Sequence, residues 1–196
     1  MKNQLPKRLF HGTTSNNLMS LRQGIDVNVS GANPRPDFGK GFYLTSQSYQ
    51  AERQAVRKTN LYNRLRIKAG SNDLVHPIVC EYELTITEEQ IKSNCKIFDK
   101  PDEEWGNFVL SNRLLTDFGE LHNIDQNIPL VYGPLADGKP NIGVLLGDFK
   151  KGIISREEVI QGMKPMYKGN NYQDQLSVHT QTAAEWLILK DVKEVR

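Results

Sequence analysis

The sequence has few of the features that mark several common classes of protein. Among its 196 residues there are two cysteines, Cys80 and Cys95, and neither lies in a CxxC motif or a Cys/His cluster. We therefore expect no structural zinc or other metal site, and so little cysteine suits a reducing cytoplasm. No run of about 18 apolar residues predicts a membrane span. The first residues also lack the apolar core of a signal peptide.

The usual nucleotide-binding loops are also missing. The segment PDFGKGFYLTS, residues 36–46, contains Gly-Lys-Gly, but a Walker loop needs GxxxxGK[ST] between a strand and a helix. No predicted strand is followed by a GxGxxG turn, which argues against a doubly wound dinucleotide-binding fold. By composition alone the segment is a glycine-rich turn that leads into a strand.

Charge is distributed unevenly along the chain. Residues 1–70 contain 12 Lys and Arg against 3 Asp and Glu, whereas residues 71–196 contain 13 against 20. The two parts could pair with each other in the fold, or the basic part could form a surface for a polyanionic partner. The basic run 53–68 admits the same two interpretations, a solvated helix face or a surface that recruits a nucleic acid.

Hydrophobic periodicity and helix caps predict a mixture of strands and helices in one domain, residues 1–196. Strands are predicted at residues 8–12, 41–45, 78–86, 128–136, 175–180 and 187–195, and helices at 15–22, 47–59 and 102–116. Capping boxes predict two further helix starts, at Thr87 with Gln90 and at Ser155 with Glu158. Thr182 and Glu185 are expected to cap a short turn. Without regular βαβ units, the fold class is α+β with antiparallel sheets.

Two short motifs contain the polar residues that chemistry would need. In FHGTT, His11 shares a strand face with Leu9, and Gly12 leaves the backbone open to close approach. In DQLSVHT, alternation places Gln175, Ser177 and His179 on one face. Each motif also has an ordinary explanation. The first could be a hydrogen-bonded histidine before a turn, and the second an edge strand with one solvent-exposed face.

Together, and in this order, the segments resemble the ADP-ribosyltransferase superfamily, closest to its diphtheria-toxin and poly(ADP-ribose) polymerase side with the His–Tyr–Glu signature. The most specific segments are residues 8–13, which contain HGT, residues 37–45, which contain GKGFYLT, and residues 174–187, which contain the late strand and the turn after it. VYGPLAD and WGNFVLSNR are further similar to a bacterial branch of mostly unassigned function. The resemblance implies two antiparallel sheets that form an NAD cleft with flanking helices.

The resemblance also implies roles for individual residues. His11, followed by Gly12 and Thr13, would bind the ribose of NAD, and the Gly12 backbone would hold the nicotinamide amide. Tyr43 would stack on the nicotinamide ring, and Ser48 would place a hydroxyl near that amide. Gln175 falls where the family carries its catalytic glutamate. NAD would be the substrate, and no metal is implied.

Gln175 departs from the family pattern. An amide can accept a hydrogen bond from the ribose 2′-hydroxyl but has no charge to stabilise an oxocarbenium-like transition state. The loss of such a stabiliser typically lowers the rate on the order of 100- to 1000-fold. His179 or Asp174 could instead activate an acceptor. A different register could make Asp174 the carboxylate, although alternation puts it on the opposite face.

Four further residues have two interpretations each. Asn112 interrupts the apolar stripe of its helix and is either a locally satisfied buried amide or, with Arg113, part of the cleft. Arg113 could bind a pyrophosphate or an acceptor through bidentate contacts. Arg35 and Asp37 could contact the adenosine half or lie on an exposed loop.

The function that the resemblance implies is transfer of one ADP-ribose from NAD to a protein or nucleic-acid acceptor. The resemblance further implies a cytoplasmic bacterial or phage effector, for example a toxin with a neutralising partner. The alternatives are a non-catalytic domain that binds NAD or ADP-ribose, and an NAD glycohydrolase that uses water.

Overall fold

A computed structural model describes residues 5–29, 36–118, 128–165 and 173–195. The strands within these ranges are β1 Arg8–Thr14, β2 Phe42–Leu44, β3 Pro77–Leu84, β4 Cys95–Ile97, β5 Leu130–Pro134, β6 Asp174–Val178 and β7 Leu187–Glu194. The helices are α1 Leu18–Gln23, α2 Ser48–Lys68, α3 Glu88–Asn94, α4 Glu103–Leu114, α5 Ile142–Lys150, α6 Arg156–Met163 and α7 Gln181–Ala184, with a 3₁₀ turn at Ser15–Asn17. The α+β class is therefore confirmed.

The strands form two sheets. The first has the order β1-β3-β7 and is antiparallel throughout. The second has the order β2-β6-β5-β4, and in it β4 and β5 run parallel. The expectation of two purely antiparallel sheets is therefore wrong for the second sheet. A parallel pair needs a crossover connection, usually a helix, and α4 lies in the connection between β4 and β5.

Apolar side chains fill the space on both sides of the second sheet. One cluster contains Leu9 and Tyr82 from the first sheet together with Leu44 and Leu176 from the second. On the other face of the second sheet, Val131 packs in a cluster with residues of α4, α5 and α6. The second sheet is thus a middle layer, and alternation along β2 and β6 decides which layer each side chain meets.

Helix α2 covers the outer face of the first sheet. Ala51 and Ala55 pack with Phe10 and Val79 in a third cluster, so Val79 is buried although it lies on the more polar face of its strand. A Cβ atom built on Gly12 would lie 1.9 Å from the carbonyl oxygen of Ala51. Glycine at this position therefore allows α2 to approach β1.

Most of the predicted local signals are confirmed, with three corrections. Both capping boxes are present, and the Asp102 side chain caps α4. The cap of α7, however, is Thr180, whose side chain accepts from the Ala183 backbone N–H. Helix α2 extends to Lys68 rather than to residue 59. Finally, β4 and α5 were not predicted, the first because three residues show no period and the second because two glycines interrupt its apolar residues.

Candidate functional site

His11 lies on the inner face of β1 and contacts β2. Its ring stacks on Phe42 at 4.3 Å between centroids, and its Nδ1 lies 2.6 Å from the carbonyl oxygen of Tyr43. Because a carbonyl only accepts, Nδ1 holds the proton and Nε2 is the acceptor of a neutral ring. Burial, and then the charge of Lys58, lower the pKa of His11 to about 3. The neighbouring Thr13 is buried and accepts from Asn17 Nδ2 at 2.9 Å.

The backbone of Gly12 already has a side-chain partner. Lys58 of α2 donates from Nζ to the Gly12 carbonyl oxygen at 2.7 Å. Burial, and then the charge of Arg57, lower the pKa of Lys58 to about 8. The residue that the resemblance assigns to the nicotinamide amide is thus covered by α2, and its carbonyl group is bonded to an ammonium group. Sequence reasoning missed Lys58 because it counted this residue only as one charge of a basic run.

The side chain of Tyr43 points to the opposite face of the second sheet from His11. Its hydroxyl donates to the Gly39 carbonyl at 2.7 Å and accepts from the Phe38 backbone N–H at 3.1 Å. The ring packs against the cluster under α4, α5 and α6. Burial, and then the charge of Asp37, raise the pKa of Tyr43 far above its ordinary value. The structure therefore brings His11 to the Tyr43 backbone and not to the Tyr43 ring.

Gln175 is part of a buried network with Asp37 and Arg113. Its Nε2 donates to Asp37 Oδ2 at 2.8 Å and lies 3.4 Å from the Pro134 carbonyl oxygen. Arg113 donates to Asp37 Oδ1 from Nε at 2.8 Å and from Nη2 at 2.5 Å. The Ala136 backbone N–H donates to Asp37 Oδ2 at 3.2 Å. Asp37 is only 2% exposed, so the alternative interpretation of this residue, an exposed loop, is wrong, while its contact with an adenosine group stays a prediction.

This network fixes the orientation of the Gln175 amide. Asp37, as a carboxylate, and the Pro134 carbonyl only accept hydrogen bonds, so the amide NH₂ must face them. The amide oxygen of Gln175 therefore points away from Asp37 and remains the acceptor end. An amide held in this way can accept a hydrogen bond from a hydroxyl group.

A family model described as a protein of unknown function, DUF3990, matches residues 8–189. The chain belongs to the DUF3990 family. The match begins at the start of β1 and ends within β7, and so includes every residue of the network described above. No curated protein matches the chain.

The remaining predicted residues of this DUF3990 chain bond either within their own helix, as Asn112 and Ser48 do, or to a distant part of the chain, as Arg113 does. Asn112 donates to the Phe108 carbonyl at 2.8 Å, which is the local interpretation, and its Oδ1 has no hydrogen-bond partner within the described residues. Arg113, one position later, turns instead towards Asp37. Ser48 begins α2 and donates to Glu52 Oε1 at 3.1 Å. Arg35 lies outside the described residues.

On the face of β6 opposite Gln175, Asp174 accepts hydrogen bonds from three hydroxyl groups. These are Thr45 Oγ1 at 2.7 Å, Tyr132 Oη at 2.8 Å and Ser46 Oγ, and the Ser46 backbone N–H adds a fourth bond at 2.8 Å. The opposite-face placement predicted from alternation is confirmed. The three hydroxyl partners were not predicted, although Thr45 and Ser46 directly follow a predicted strand, where they could meet a side chain of the neighbouring strand.

His179 bonds to Ser177 and to the Gly-Lys-Gly turn. Its Nδ1 lies 2.7 Å from the Lys40 carbonyl oxygen, and its Nε2 lies 2.7 Å from Ser177 Oγ. Burial lowers the pKa of His179 to about 4. A Cβ atom on Gly41 would lie 2.8 Å from the His179 ring, so this turn needs glycine where it meets the ring. The geometry is that of a neutral ring that holds the turn before β2.

The described residues show neither a metal site nor a membrane-spanning helix. They contain no cluster of three His, Cys, Asp or Glu side chains suited to hold a metal ion. Of the helices in the same part of the chain, none is both long and apolar enough to cross a bilayer.

Proposed function

We propose that this protein is an NAD-dependent mono-ADP-ribosyltransferase. In the proposed reaction the bond between C1′ of the ribose and the nicotinamide nitrogen breaks, and nicotinamide leaves with the bonding electrons. A nucleophile on a protein or nucleic-acid acceptor bonds to C1′ and loses its proton. The products are nicotinamide and an ADP-ribosylated acceptor.

The observation that supports the proposal is the convergence of three sequence-distant motifs on adjacent strands. His11 of β1 lies 2.6 Å from the backbone oxygen of Tyr43 in β2. Strand β2 in turn pairs with β6, with Tyr43 opposite Ser177. Gln175 is therefore two residues along the neighbouring strand, on the same face as Tyr43. The three motifs thus lie on adjacent strands, although the His11 ring is on the opposite side of the second sheet from the Tyr43 and Gln175 side chains.

The orientation of the Gln175 amide also supports the proposal. With its NH₂ held by Asp37, its oxygen is the end that would accept from a ribose hydroxyl, which is the hydrogen-bonding half of the role of glutamate in the ADP-ribosyltransferases that the sequence resembles. The charged half is missing at this position, because the nearest carboxylate is that of Asp37, which is already paired with Arg113. We therefore expect slow turnover, on the order of 100-fold or more below that of a site with a free carboxylate.

The direct test is incubation of the protein with NAD that is labelled in its adenosine half, together with a cell lysate. We expect released nicotinamide and a labelled macromolecule, and both should be lost in His11→Ala and Gln175→Ala. Gln161→Ala, at an exposed position of α6, is the matched control and should retain wild-type turnover. If wild type and control release no nicotinamide above a blank, the enzymatic proposal is wrong.

A second candidate function is binding of NAD or ADP-ribose without chemistry. It is favoured by the bond between Lys58 and the Gly12 carbonyl and by the neutral side chain at position 175. In that case NAD or ADP-ribose would raise the melting temperature while nicotinamide release stayed at the blank. Free ADP-ribose without labelled acceptor would instead identify an NAD glycohydrolase.

A further inference from the structure

Helix α2 has a row of four basic side chains on its solvent face. Arg53, Arg57, Arg64 and Lys68 are all exposed. At 3.6 residues per turn their positions fall within an arc of about 60°, and the row is about 22 Å long at 1.5 Å per residue. The row thus consists of two pairs on one face of the helix, Arg53 with Arg57 and Arg64 with Lys68, separated by about 10 Å along the axis. We call it the α2 basic stripe.

The stripe is not neutralised by its surroundings. No ion pair within the described ranges engages any of the four side chains, whereas two other cations of α2 are used internally. Lys58 bonds to the Gly12 carbonyl, and Arg66 pairs with Asp73 at 2.8 Å. The acidic residue of the helix, Glu52, lies 3.6 Å from Lys193. Burial, and then the charge of Asp37, raise the pKa of Asp137; the charge of Arg53 opposes this rise, but the two side chains form no ion pair.

Repulsion between the cations of the stripe also destabilises α2 as an isolated helix. Arg53 with Arg57, and Arg64 with Lys68, are like-charged pairs at i,i+4, and each such pair destabilises a helix by about 0.2–0.5 kcal/mol. The helix dipole favours cations only in the last turn, which accounts for Lys68 but not for Arg53 and Arg57. A polyanion laid along the stripe would relieve this repulsion.

We propose that the α2 basic stripe binds the phosphate backbone of a nucleic acid. Three of the four cations are arginines. One planar guanidinium group can donate two parallel hydrogen bonds to a phosphate, and it can also stack on a base. Tyr49, which is 51% exposed, lies at the start of the same face and can stack on a base. Beside the stripe, Tyr49, Arg53 and Arg57 line an open depression of about 580 Å³. The acidic residue of this lining, Glu52, is paired with Lys193.

A membrane surface fits this helix less well. Interfacial helices bury an apolar face in the lipid, but the small apolar residues Ala51 and Ala55 of α2 already pack on the first sheet. The exposed apolar side chains of α2 lie on both sides of the stripe, Val56 and Ile67 on one side and Leu61 and Leu65 on the other, so they form no single apolar face opposite it. The binding proposal requires no NAD. Only the further step, in which the bound nucleic acid is the acceptor, rests on the proposed function.

The test is fluorescence anisotropy of labelled single-stranded DNA and RNA oligonucleotides of about 16 nucleotides, the upper size of many single-strand sites. Four phosphate contacts predict a slope of log affinity against log salt of about −3, so affinity should fall roughly 50-fold for a fourfold rise in salt. The variant R53Q/R57Q/R64Q/K68Q should remove most of this slope. Glutamine is a good helix former, so the helix should persist, which circular dichroism can verify.

The matched control is R22Q/K92Q/K150Q/K151Q, which removes the same charge from exposed positions outside α2. The control should retain wild-type affinity and slope. Absence of oligonucleotide binding by the wild type, or an equal loss in the two variants, would overturn the proposal. Equally tight binding of poly-glutamate would also overturn it, because the stripe would then recognise an acidic protein and not specifically a nucleic acid. Each result is obtained without NAD and is therefore independent of the turnover assay.

Discussion

Asp37 and Asp174 are both buried carboxylates at β6. Asp174 belongs to this strand and Asp37 accepts from Gln175 of the same strand, yet the two carboxylates are held by different kinds of donor. Asp37 is held by the guanidinium of Arg113, the backbone N–H of Ala136 and the amide of Gln175. Asp174 is held by three hydroxyl groups and one backbone N–H. They lie 2% and 8% exposed, so burial is nearly the same and the donors are the difference.

The kind of donor decides how much the negative charge of each carboxylate contributes to the stability of the fold. A guanidinium and a backbone N–H can only donate, whereas a hydroxyl can rotate and accept. An amide that replaced Asp174 could therefore donate to hydroxyls that reverse their role. The same replacement at Asp37 would turn an NH₂ group towards donors that cannot reverse and would leave a cation without its counterion. The two sites should thus respond differently to one chemical change.

The largest effect is expected for Asp37→Asn. Removal of one member of a buried ion pair typically costs 3–5 kcal/mol, and because Arg113 keeps some contact with water, with 17% of its side chain exposed, we expect about 3 kcal/mol. The measurement is the free energy of unfolding in urea. Asp26→Asn, at an exposed position, is the control and should change stability by about 0.5 kcal/mol or less. A loss under about 1 kcal/mol for Asp37→Asn would show that the charge of Asp37 is not needed.

The second effect concerns a glutamate at position 175, the residue that the proposed reaction would favour there. Gln175→Glu would place a carboxylate against Asp37 in place of an NH₂ donor, at 2.8 Å in the present pair. Like charges at contact in a partly screened site repel by about 2–4 kcal/mol. We therefore expect Gln175→Glu alone to destabilise the fold by about that amount, and not to restore an active site.

The double variant Asp37→Asn with Gln175→Glu sharpens this prediction. It exchanges the amide and the carboxylate, so a donor again faces an acceptor between positions 37 and 175. We expect it to be more stable than the sum of the single changes predicts, with a coupling of about 1–3 kcal/mol in a double-mutant cycle. Additive losses would mean that residues 37 and 175 do not act as a pair. Nicotinamide release by the double variant would further test the enzymatic proposal.

Local parts of this fold could be predicted from the sequence, whereas the site network could not. The capping boxes at Thr87 and Ser155 and the Asp102 cap need only a few neighbouring residues, and all three are present. Alternation also placed Asp174 and Gln175 correctly on opposite faces. The contact of Gln175 with Asp37 joins residues 138 positions apart, however, and no periodicity reports which buried loop residue meets which strand.

The position of Tyr43 illustrates the same limit. Sequence showed that β2 is a strand, but which face meets the first sheet depends on the packing of both layers. Phe42 and Leu44 pack with the first sheet, so Tyr43 turns towards α4, α5 and α6. Gly12 likewise follows a recognisable motif, but only the packing of α2 shows that Lys58 bonds to its carbonyl.

The smallest effect is expected for Asp174→Asn. The amide oxygen can keep Thr45 Oγ1 and the Ser46 N–H, which share one carboxylate oxygen, while the new NH₂ donates to Ser46 Oγ and Tyr132 Oη after those hydroxyls rotate. Only the charge assistance is lost, so unfolding in urea should show a cost of about 1 kcal/mol. Asp174→Ala should cost more, because it leaves all four donors unpaired. If Asp174→Asn costs as much as Asp37→Asn, the ability of hydroxyls to reverse does not explain the difference, and burial of charge alone sets the stability of both sites.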